Sequence, residues 1–235
     1  MRLIVQFSKL GLSRFISHLD LQTTFARAIR RSSIAVKFSQ GFNPHIILSF
    51  ASALSVGIES IAEVADIALD KPIDVSNQEL VNRLNDIMPK GIVVNQVFFV
   101  EDNYSSLTSI VTNAKYEIKL FTKANELDTS QINNRFSDFI SKPIIAQKKG
   151  KKKILKEVDL QDYLTKLETK EIKDDYIVFN LECMNSSTGS LNPLILVPLL
   201  INALQIDCDD YSIMRTALIN IDSNGIEKNS WELAI

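Results

Sequence analysis

The chain has few cysteines, few glycines and no long hydrophobic run, and each shortage excludes a class of protein. Of its 235 residues two are cysteines, Cys183 and Cys208, and their spacing fits neither a zinc or cluster motif nor a disulfide framework. The seven glycines are too scattered for a phosphate-binding loop. No apolar stretch reaches the roughly 18 residues of a transmembrane helix. We therefore expect a cytoplasmic protein with no membrane contact and no metal site or cofactor of its own.

The composition that is present supports a folded core and hides a charge asymmetry. Hydrophobic residues make up 46% of the chain, and the net charge is −2. Residues 1–60 nevertheless carry seven Lys or Arg against two acidic residues, whereas residues 176–235 carry two basic residues against seven acidic ones. A local basic field attracts phosphates whatever the net charge. The asymmetry therefore indicates either a polyanion-binding face or a basic end that faces the acidic end of the same chain.

The first 100 residues predict one ferredoxin-like domain. Apolar runs and the helical spacing of apolar residues favour the order β-α-β-β-α-β, which is that of a ferredoxin-like unit. Ser17 and Ser76 precede the two helices as N-caps, and Asp20 follows Ser17 at the capping-box spacing. The predicted elements are strands at 3–7, 34–38, 46–50, 64–69 and 92–100 and helices at 17–31 and 74–88.

A polar linker at 101–113 leads to a second α+β domain at 114–235, which we also interpret as ferredoxin-like. The predicted fold class is therefore α+β, with two tandem ferredoxin-like halves built on antiparallel sheets. The lysines of 148–153 predict the tip of a basic hairpin. The predicted elements of this half are strands at 116–121, 144–147, 154–158, 176–182 and 211–221 and helices at 130–140, 160–167 and 194–204.

Charged residues cluster on the first predicted helix. Its N-terminus offers free N–H groups and a positive dipole, which attract anions. The residues around that N-terminus are Arg14, His18 and Asp20. Three arginines at i, i+3 and i+4 share a face farther along, namely Arg27, Arg30 and Arg31. Guanidinium groups suit phosphate contacts, although a solvated basic face that complements the helix dipole is an equally ordinary role.

The segment Ser39–His45 is the most distinctive stretch of the sequence. Its glycine and its Asn-Pro pair predict a turn. Amides beside an aromatic ring suit the stacking and edge recognition of an unpaired base. The candidate contact residues are Gln40, Phe42, Asn43 and His45. The alternative is a structural turn whose Phe42 packs into the core.

Two further groups of residues are weaker candidates. His18 and His45 are the only histidines, and together with Asp20 they offer acid–base chemistry, although satisfied structural histidines are commoner. The secondary candidates for contact with RNA are the lysines of the basic turn and two polar residues near a later Asn-Pro pair. These secondary candidates are Lys151, Lys152, Lys153, Ser190 and Asn192. No spacing of potential ligands predicts a metal site.

These motifs, taken together, resemble the bacterial radical-SAM-linked protein family, a conserved domain of unknown function. The resemblance is dense over residues 1–100 and sparse beyond. It rests on the segments Phe7–Gly11, Arg14–Leu21, Phe25–Arg31 and Ser39–His45. Ala53–Ser60 also fits a Pro-Leu-x-x-Gly-x-x-Ser pattern, with Ala53 in place of the proline, and Gly189–Pro193 resembles a later segment less closely.

The resemblance implies partners rather than a reaction. Members of that family are associated with radical-SAM proteins and are often encoded near ribonuclease E/G and ribosomal-protein genes. This chain lacks the Cys-x-x-x-Cys-x-x-Cys motif of a radical-SAM cluster. The resemblance therefore implies that an iron–sulfur cluster and SAM belong to a partner protein, with ribonuclease E/G-type machinery as a further possible partner.

Three functional hypotheses follow. The first is a non-catalytic RNA-binding or adaptor module that presents tRNA or rRNA to a separate radical-SAM enzyme during RNA modification or processing. The second is an RNA-processing or RNA-modifying enzyme that uses His18, Asp20 and His45. The third is an adaptor that binds only protein.

Overall fold

A computed structural model of the chain describes residues 1–122, 129–149, 155–222 and 224–229. It divides into two compact units. Unit 1 comprises Met1–Asn113 together with the described residues from Arg215 onward, and unit 2 comprises Ala114–Met214. No helix within the described ranges is long and apolar enough to cross a membrane.

Unit 1 has the predicted β-α-β-β-α-β order. Strand β1 lies between β3 and β4, and β2 pairs with β3, so that the sheet order is β4-β1-β3-β2 with antiparallel pairing throughout. This is the strand order of a ferredoxin-like sheet, which confirms the predicted fold class. The elements are β1 (Arg2–Lys9), α1 (His18–Arg31), β2 (Leu48–Phe50), β3 (Glu59–Ala68), α2 (Asn77–Asn85) and β4 (Ile92–Val100).

Helix α1 begins and packs where its sequence predicts. The Ser17 hydroxyl accepts a hydrogen bond from the backbone N–H of Asp20 at 3.2 Å and donates to the Asp20 carboxylate at 2.7 Å. This reciprocal cap satisfies one of the free N–H groups of the first turn. On the buried face, the ring of Phe25 lies 4.6 Å from that of Phe7 and 5.3 Å from that of Phe50. The three aromatic rings join α1 to the sheet.

Unit 2 repeats the same order around an inserted hairpin. Its strand order is β10-β5-β9-β8. Strand β5 is the first strand of this unit, and it lies between β9, the third, and β10, the fourth, as in a ferredoxin-like sheet. The inserted strands β6 and β7 form a separate two-stranded sheet. The remaining elements of the chain are α3 (Leu107–Ile110), β5 (Asn113–Thr122), α4 (Thr129–Ile140), β6 (Ile145–Lys149), β7 (Leu155–Asp159), β8 (Leu164–Ile172), β9 (Tyr176–Met184), α5 (Pro193–Leu204), β10 (Cys208–Ile221) and β11 (Glu227–Asn229).

Three local predictions differ from the structure. The strand expected at 34–38 forms only isolated bridges at Val36 and Phe38, because the chain leaves the sheet there as a protruding hairpin. The helix expected at 160–167 is a short 3-10 turn, since from Leu164 onward the backbone pairs with β9 instead. Strand β10 belongs to unit 2 as far as Met214 and to unit 1 from Arg215, whereas the sequence groups all of 114–235 together.

A buried ion pair ties β10 to β3 within unit 1. Arg215 and Glu63 are both almost inaccessible to solvent. The Arg215 Nε donates to Glu63 Oε1 at 2.8 Å, and its Nη2 donates to Oε2 at 2.6 Å. The remaining Arg215 nitrogen donates to the Ser52 hydroxyl and to the Ala53 carbonyl at 3.3 and 3.4 Å. Both charges are therefore compensated, as burial requires.

We predict that Glu63→Gln lowers the free energy of unfolding by about 3–5 kcal/mol, because it leaves a buried guanidinium without its counter-charge. The control is Glu79→Gln, which breaks an exposed ion pair to Arg83 with an N–O distance of 2.9 Å. That change is expected to cost no more than about 0.5 kcal/mol. Denaturant unfolding of the two variants measures the difference, and equal costs would contradict a buried role for Glu63.

Candidate nucleic-acid interface

The chain that follows α1 forms a hairpin, Lys37–Ile47, that protrudes from the end of β3. The Lys37 N–H donates to the Ala68 carbonyl at 2.9 Å, and the Ala68 N–H donates to the Ile47 carbonyl at 3.0 Å. The two arms are also joined to each other, since the Ile47 N–H donates to the Lys37 carbonyl at 3.0 Å. The base of this protruding hairpin is thus fixed to the sheet, and its tip extends beyond it.

The tip presents the predicted base-contacting residues to solvent. Phe42 is fully exposed, and its polar neighbours Gln40, Asn43 and His45 are exposed as well. The ring of Phe42 therefore does not pack into the core, contrary to the alternative interpretation of this turn. Gly41 has φ +134°, a backbone conformation that side chains disfavour, so the predicted need for glycine is real.

Hydrogen bonds across the neck of the hairpin hold His45. The Ser39 N–H donates to the His45 carbonyl at 2.8 Å, and the His45 N–H donates to the Ser39 hydroxyl at 3.1 Å. The same hydroxyl lies 2.9 Å from Nδ1 of the imidazole ring. Three contacts between Ser39 and His45 therefore restrain the tip of the hairpin and leave it exposed to solvent.

An open groove of about 660 Å³ lies at the base of the hairpin. It is lined by Val36, Lys37, Phe38, Gln40, Ile47 and Asp70. Phe38 and Ile47 are each 45% exposed, so they leave an apolar surface open to a ligand. The groove also contains one ammonium group, one amide and one carboxylate. Apolar walls with a few polar groups are typical of ligand sites.

The three predicted arginines lie in the last turns of α1, just before the hairpin. Arg27, Arg30 and Arg31 are exposed, and no acidic residue pairs with any of them in the part of the chain that the structure describes. The Arg31 Nε donates to the Arg27 carbonyl at 3.3 Å. Cations in a last turn complement the helix dipole, which accounts for the position of these arginines. Their charges are not neutralised by a described carboxylate and can still attract an anion.

The other predicted residues lie at the opposite end of α1. Fourteen residues of helix, at about 1.5 Å each, separate the first turn from the last by roughly 20 Å. Arg14 stacks on Phe15, with its guanidinium carbon 4.9 Å from the ring centroid, and His18 packs edge-on against Phe50 at 5.5 Å. Asp20 acts as part of the helix cap. The ten primary candidates therefore fall into two groups rather than one site.

This separation bears on the enzymatic hypothesis. His18 contacts the aromatic core, whereas His45 is held by Ser39 in the protruding hairpin. The carboxylate of Asp20 faces the Ser17 hydroxyl. The described residues contain no cluster of His, Cys, Asp or Glu with metal-binding geometry. The structure thus shows no acid–base pair formed by His18, Asp20 and His45.

The secondary candidates have local roles or lie outside the described residues. The side chain of Asn192 accepts a hydrogen bond from the Leu194 N–H at 3.1 Å and so caps α5. Ser190 is exposed and forms an isolated bridge with Asn185. Strands β6 and β7 flank the predicted basic turn, but Lys151, Lys152 and Lys153 themselves lie outside the described residues.

Sequence reasoning missed the buried lysine that shapes the turn before α1. Lys9 is buried, and its Nζ donates to the carbonyls of Ile16 and Arg14 at 2.7 and 3.4 Å. Burial lowers the pKa of Lys9, and the nearby charge of Glu63 opposes that shift. The only signal was a charged residue in an apolar strand pattern. The groove residues Lys37 and Asp70 were missed because they lie far apart in the sequence.

The turn that Lys9 holds has an apolar surface. Leu12 is 86% exposed, Leu19 is 72% exposed, and Phe15 is also largely open to solvent. We refer to Leu12, Phe15 and Leu19 as the apolar turn. A contiguous patch of exposed apolar side chains is typical of a contact surface, and these three side chains lie within eight residues of one another.

A family model described as "Uncharacterized protein conserved in bacteria (DUF2344)" matches residues 2–193. The chain belongs to this family. A search of curated proteins finds no match. The family assignment agrees with the sequence prediction of a bacterial domain of unknown function, and it covers both ferredoxin-like units in large part.

Two solved structures match the chain. A chain of the "Crystal Structure of a Cbf5-Nop10-Gar1 Complex" matches with a TM-score of 0.54 at 9% identity, covering 99% of this chain and 61% of that chain. The "Structure of H/ACA RNP bound to a substrate RNA containing 2'-deoxyuridine" matches with a TM-score of 0.48 at 8% identity, covering 92% of this chain and 47% of that one. This protein therefore spans less than two thirds of either matched chain. The first likeness shows a shared fold.

We predict that Phe42→Ala leaves the free energy of unfolding unchanged within about 0.5 kcal/mol, because the ring is outside the core. Phe25→Ala, which empties the centre of the aromatic cluster, is expected to cost about 3–5 kcal/mol. Denaturant unfolding measures both values. A loss above about 1 kcal/mol for Phe42→Ala would show that the ring packs against the protein.

Proposed function

We propose that this protein is a non-catalytic RNA-binding module that acts with a separate radical-SAM enzyme in RNA modification or processing. The observation that carries the proposal is the fully exposed Phe42 at the tip of a hairpin whose base is hydrogen-bonded to the sheet. An exposed phenyl ring loses no packing when it stacks on a base. The restrained hairpin also reduces the conformational entropy lost on binding.

Charge supports RNA as the ligand. Arg27, Arg30 and Arg31 end the helix that leads into the hairpin, and none is neutralised by a described acidic residue. Guanidinium groups bind phosphate oxygens in a bidentate way. An aromatic ring for a base, beside cations for the backbone, is the combination that single-stranded RNA-binding surfaces use. The amides of Gln40 and Asn43 add hydrogen bonds at the base edge.

We expect the variant Arg27→Ala, Arg30→Ala and Arg31→Ala to bind RNA several-fold or more weakly. If the three arginines contact phosphates, the slope of log affinity against log salt falls by about two, since each phosphate contact contributes about 0.7 for single strands. Fluorescence anisotropy with single-stranded RNA at several salt concentrations measures both quantities.

A charge-matched control separates a specific contact from a general field. Arg83→Ala, Lys90→Ala and Lys142→Ala remove three cations elsewhere, and this variant should retain most of the affinity and of the salt slope. Equal losses in both variants, or binding that does not depend on salt, would contradict an arginine-lined phosphate site.

The radical-SAM partner is the part of the proposal that rests on sequence resemblance. The motifs between Phe7 and His45 resemble those of the radical-SAM-linked family, and the chain has no cluster-binding cysteine motif. The iron–sulfur cluster and SAM would accordingly be carried by the partner. The tRNA or rRNA substrate and the ribonuclease E/G-type machinery are the finer parts of the same proposal.

A second candidate function, protein binding, is favoured by the apolar turn. Leu12, Phe15 and Leu19 expose apolar side chains at the end of α1 opposite to the arginines. This arrangement gives unit 1 two separate surfaces, one suited to RNA and one to an apolar protein contact. An adaptor needs both surfaces to be accessible at the same time.

We predict that Leu12→Ser with Leu19→Ser lowers recovery of a radical-SAM partner with the tagged protein, while RNA binding stays unchanged. The measurement is co-purification of a protein that carries the Cys-x-x-x-Cys-x-x-Cys motif and iron. The control is Val93→Ser, at an exposed apolar position on β4. Undiminished recovery with the double variant would exclude the apolar turn as the contact.

A further inference from the structure

The groove at the base of the hairpin contains a carboxylate that no described residue engages. Asp70 follows the end of β3, where its backbone N–H donates to the Ala35 carbonyl at 3.0 Å. Its exposed side chain has no hydrogen-bond or ion-pair partner within the described ranges. The groove also has the apolar side chains of Phe38 and Ile47 and the amide of Gln40. These groups are not needed for the phosphate contacts proposed above.

The size and walls of the groove suit a nucleobase. Its volume of about 660 Å³ falls within the range of small-molecule sites, about 300–1,000 Å³. Phe38 and Ile47, each 45% exposed, offer apolar surface for a base to contact. A phosphate group is disfavoured in the same place, because the negative charge of Asp70 repels it. The charges therefore assign the base to the groove and the phosphates of the RNA backbone to the arginines at the end of α1.

The carboxylate also selects among the bases. An ionised carboxylate only accepts hydrogen bonds, and its two oxygens pair best with two adjacent donors. Guanine presents such a pair, N1–H and N2–H, on its Watson–Crick edge. Adenine, cytosine and uracil each place an acceptor beside the donor on that edge, which would face the second oxygen and be repelled. The Gln40 amide can donate to O6 of the guanine.

Lys37 completes the site. Its ammonium group is 3.1 Å from the Asp102 carboxylate, and it lines the groove. The Asp102 carboxylate holds this ammonium group in place beside the groove. The groove thus offers an ammonium group, a carboxylate and an apolar surface.

We propose that this groove binds an unpaired guanine of single-stranded RNA, with the Asp70 carboxylate accepting hydrogen bonds from guanine N1–H and N2–H. The inference rests on the proposed RNA-binding function and specifies its base preference. It assigns the base specificity to Asp70, a residue outside the proposed phosphate and stacking contacts.

The test measures anisotropy of the full chain with labelled nine-nucleotide RNAs that are uridine throughout except for the central base. A central guanine should bind at least about fivefold more tightly than a central uracil, adenine or cytosine, the lower end of the discrimination expected from a bidentate contact. Inosine, which lacks the N2 amino group, should lose most of that preference.

Variants tie the preference to Asp70. Asp70→Asn should abolish the guanine preference and leave affinity for the all-uridine RNA equal or slightly higher. Asp74→Asn removes the same charge from an exposed position outside the groove and should keep the preference. Urea unfolding of both variants checks that the fold is intact.

The outcomes separate the two proposals. In the first outcome, the RNAs with the four different central bases bind equally, while the triple arginine variant still binds RNA more weakly. That result overturns the guanine site and leaves the RNA-binding proposal standing. A guanine preference that survives Asp70→Asn also overturns it. If no RNA binds, the proposed function fails, and Asp70-dependent binding of free GMP in that case assigns the groove to a nucleotide instead of RNA.

Discussion

The backbone of Ala68 is the constraint on which the candidate site depends. Its carbonyl accepts from Lys37 at 2.9 Å and its N–H donates to Ile47 at 3.0 Å, so one residue at the end of β3 holds both arms of the protruding hairpin. The bonds between Lys37 and Ile47 and between Ser39 and His45 close the hairpin itself, and the Ala68 bonds fix it to the sheet. With them, an exposed aromatic ring has a defined place next to a groove. Binding then requires little additional ordering of the chain.

Two of the seven basic residues of 1–60 have described acidic partners within unit 1. Arg2 pairs with Asp66, and Lys37 pairs with Asp102. Of the other five, Lys9 donates to backbone carbonyls and Arg14 stacks on Phe15. The three arginines at the end of α1 remain exposed and without a described acidic partner. A chain with a net charge of −2 thereby retains a local surface suited to polyanions.

Local sequence signals predicted much of the fold. The caps at Ser17 and Ser76 accept the expected hydrogen bonds from Asp20 and Glu79, since capping depends on residues three apart. The prediction of a helix at 160–167 was wrong. From Leu164 onward the chain is a strand that is stabilised by pairing with β9, and helical spacing cannot reveal such pairing.

The site was only half predictable, for a related reason. The turn at Gln40–His45 was recognised from glycine, proline and amide content, which act locally. The groove needs Lys37 and Asp70 on the same wall. The pairing of residues 35–37 with residues 68–70 brings them there. Likewise, Glu63 and Arg215 are 152 positions apart. Contacts between distant segments depend on sheet topology, so sequence spacing could not identify them.

The most direct test of the central claim is to map where RNA touches the protein. Ultraviolet crosslinking of the purified full chain to cellular RNA, followed by mass spectrometry of the crosslinked peptides, locates the contact without any substitution. The account predicts crosslinks concentrated in the protruding hairpin, with Phe42 as the main crosslinked residue. Crosslinks confined to unit 2, or an absence of crosslinks to any RNA, would contradict it.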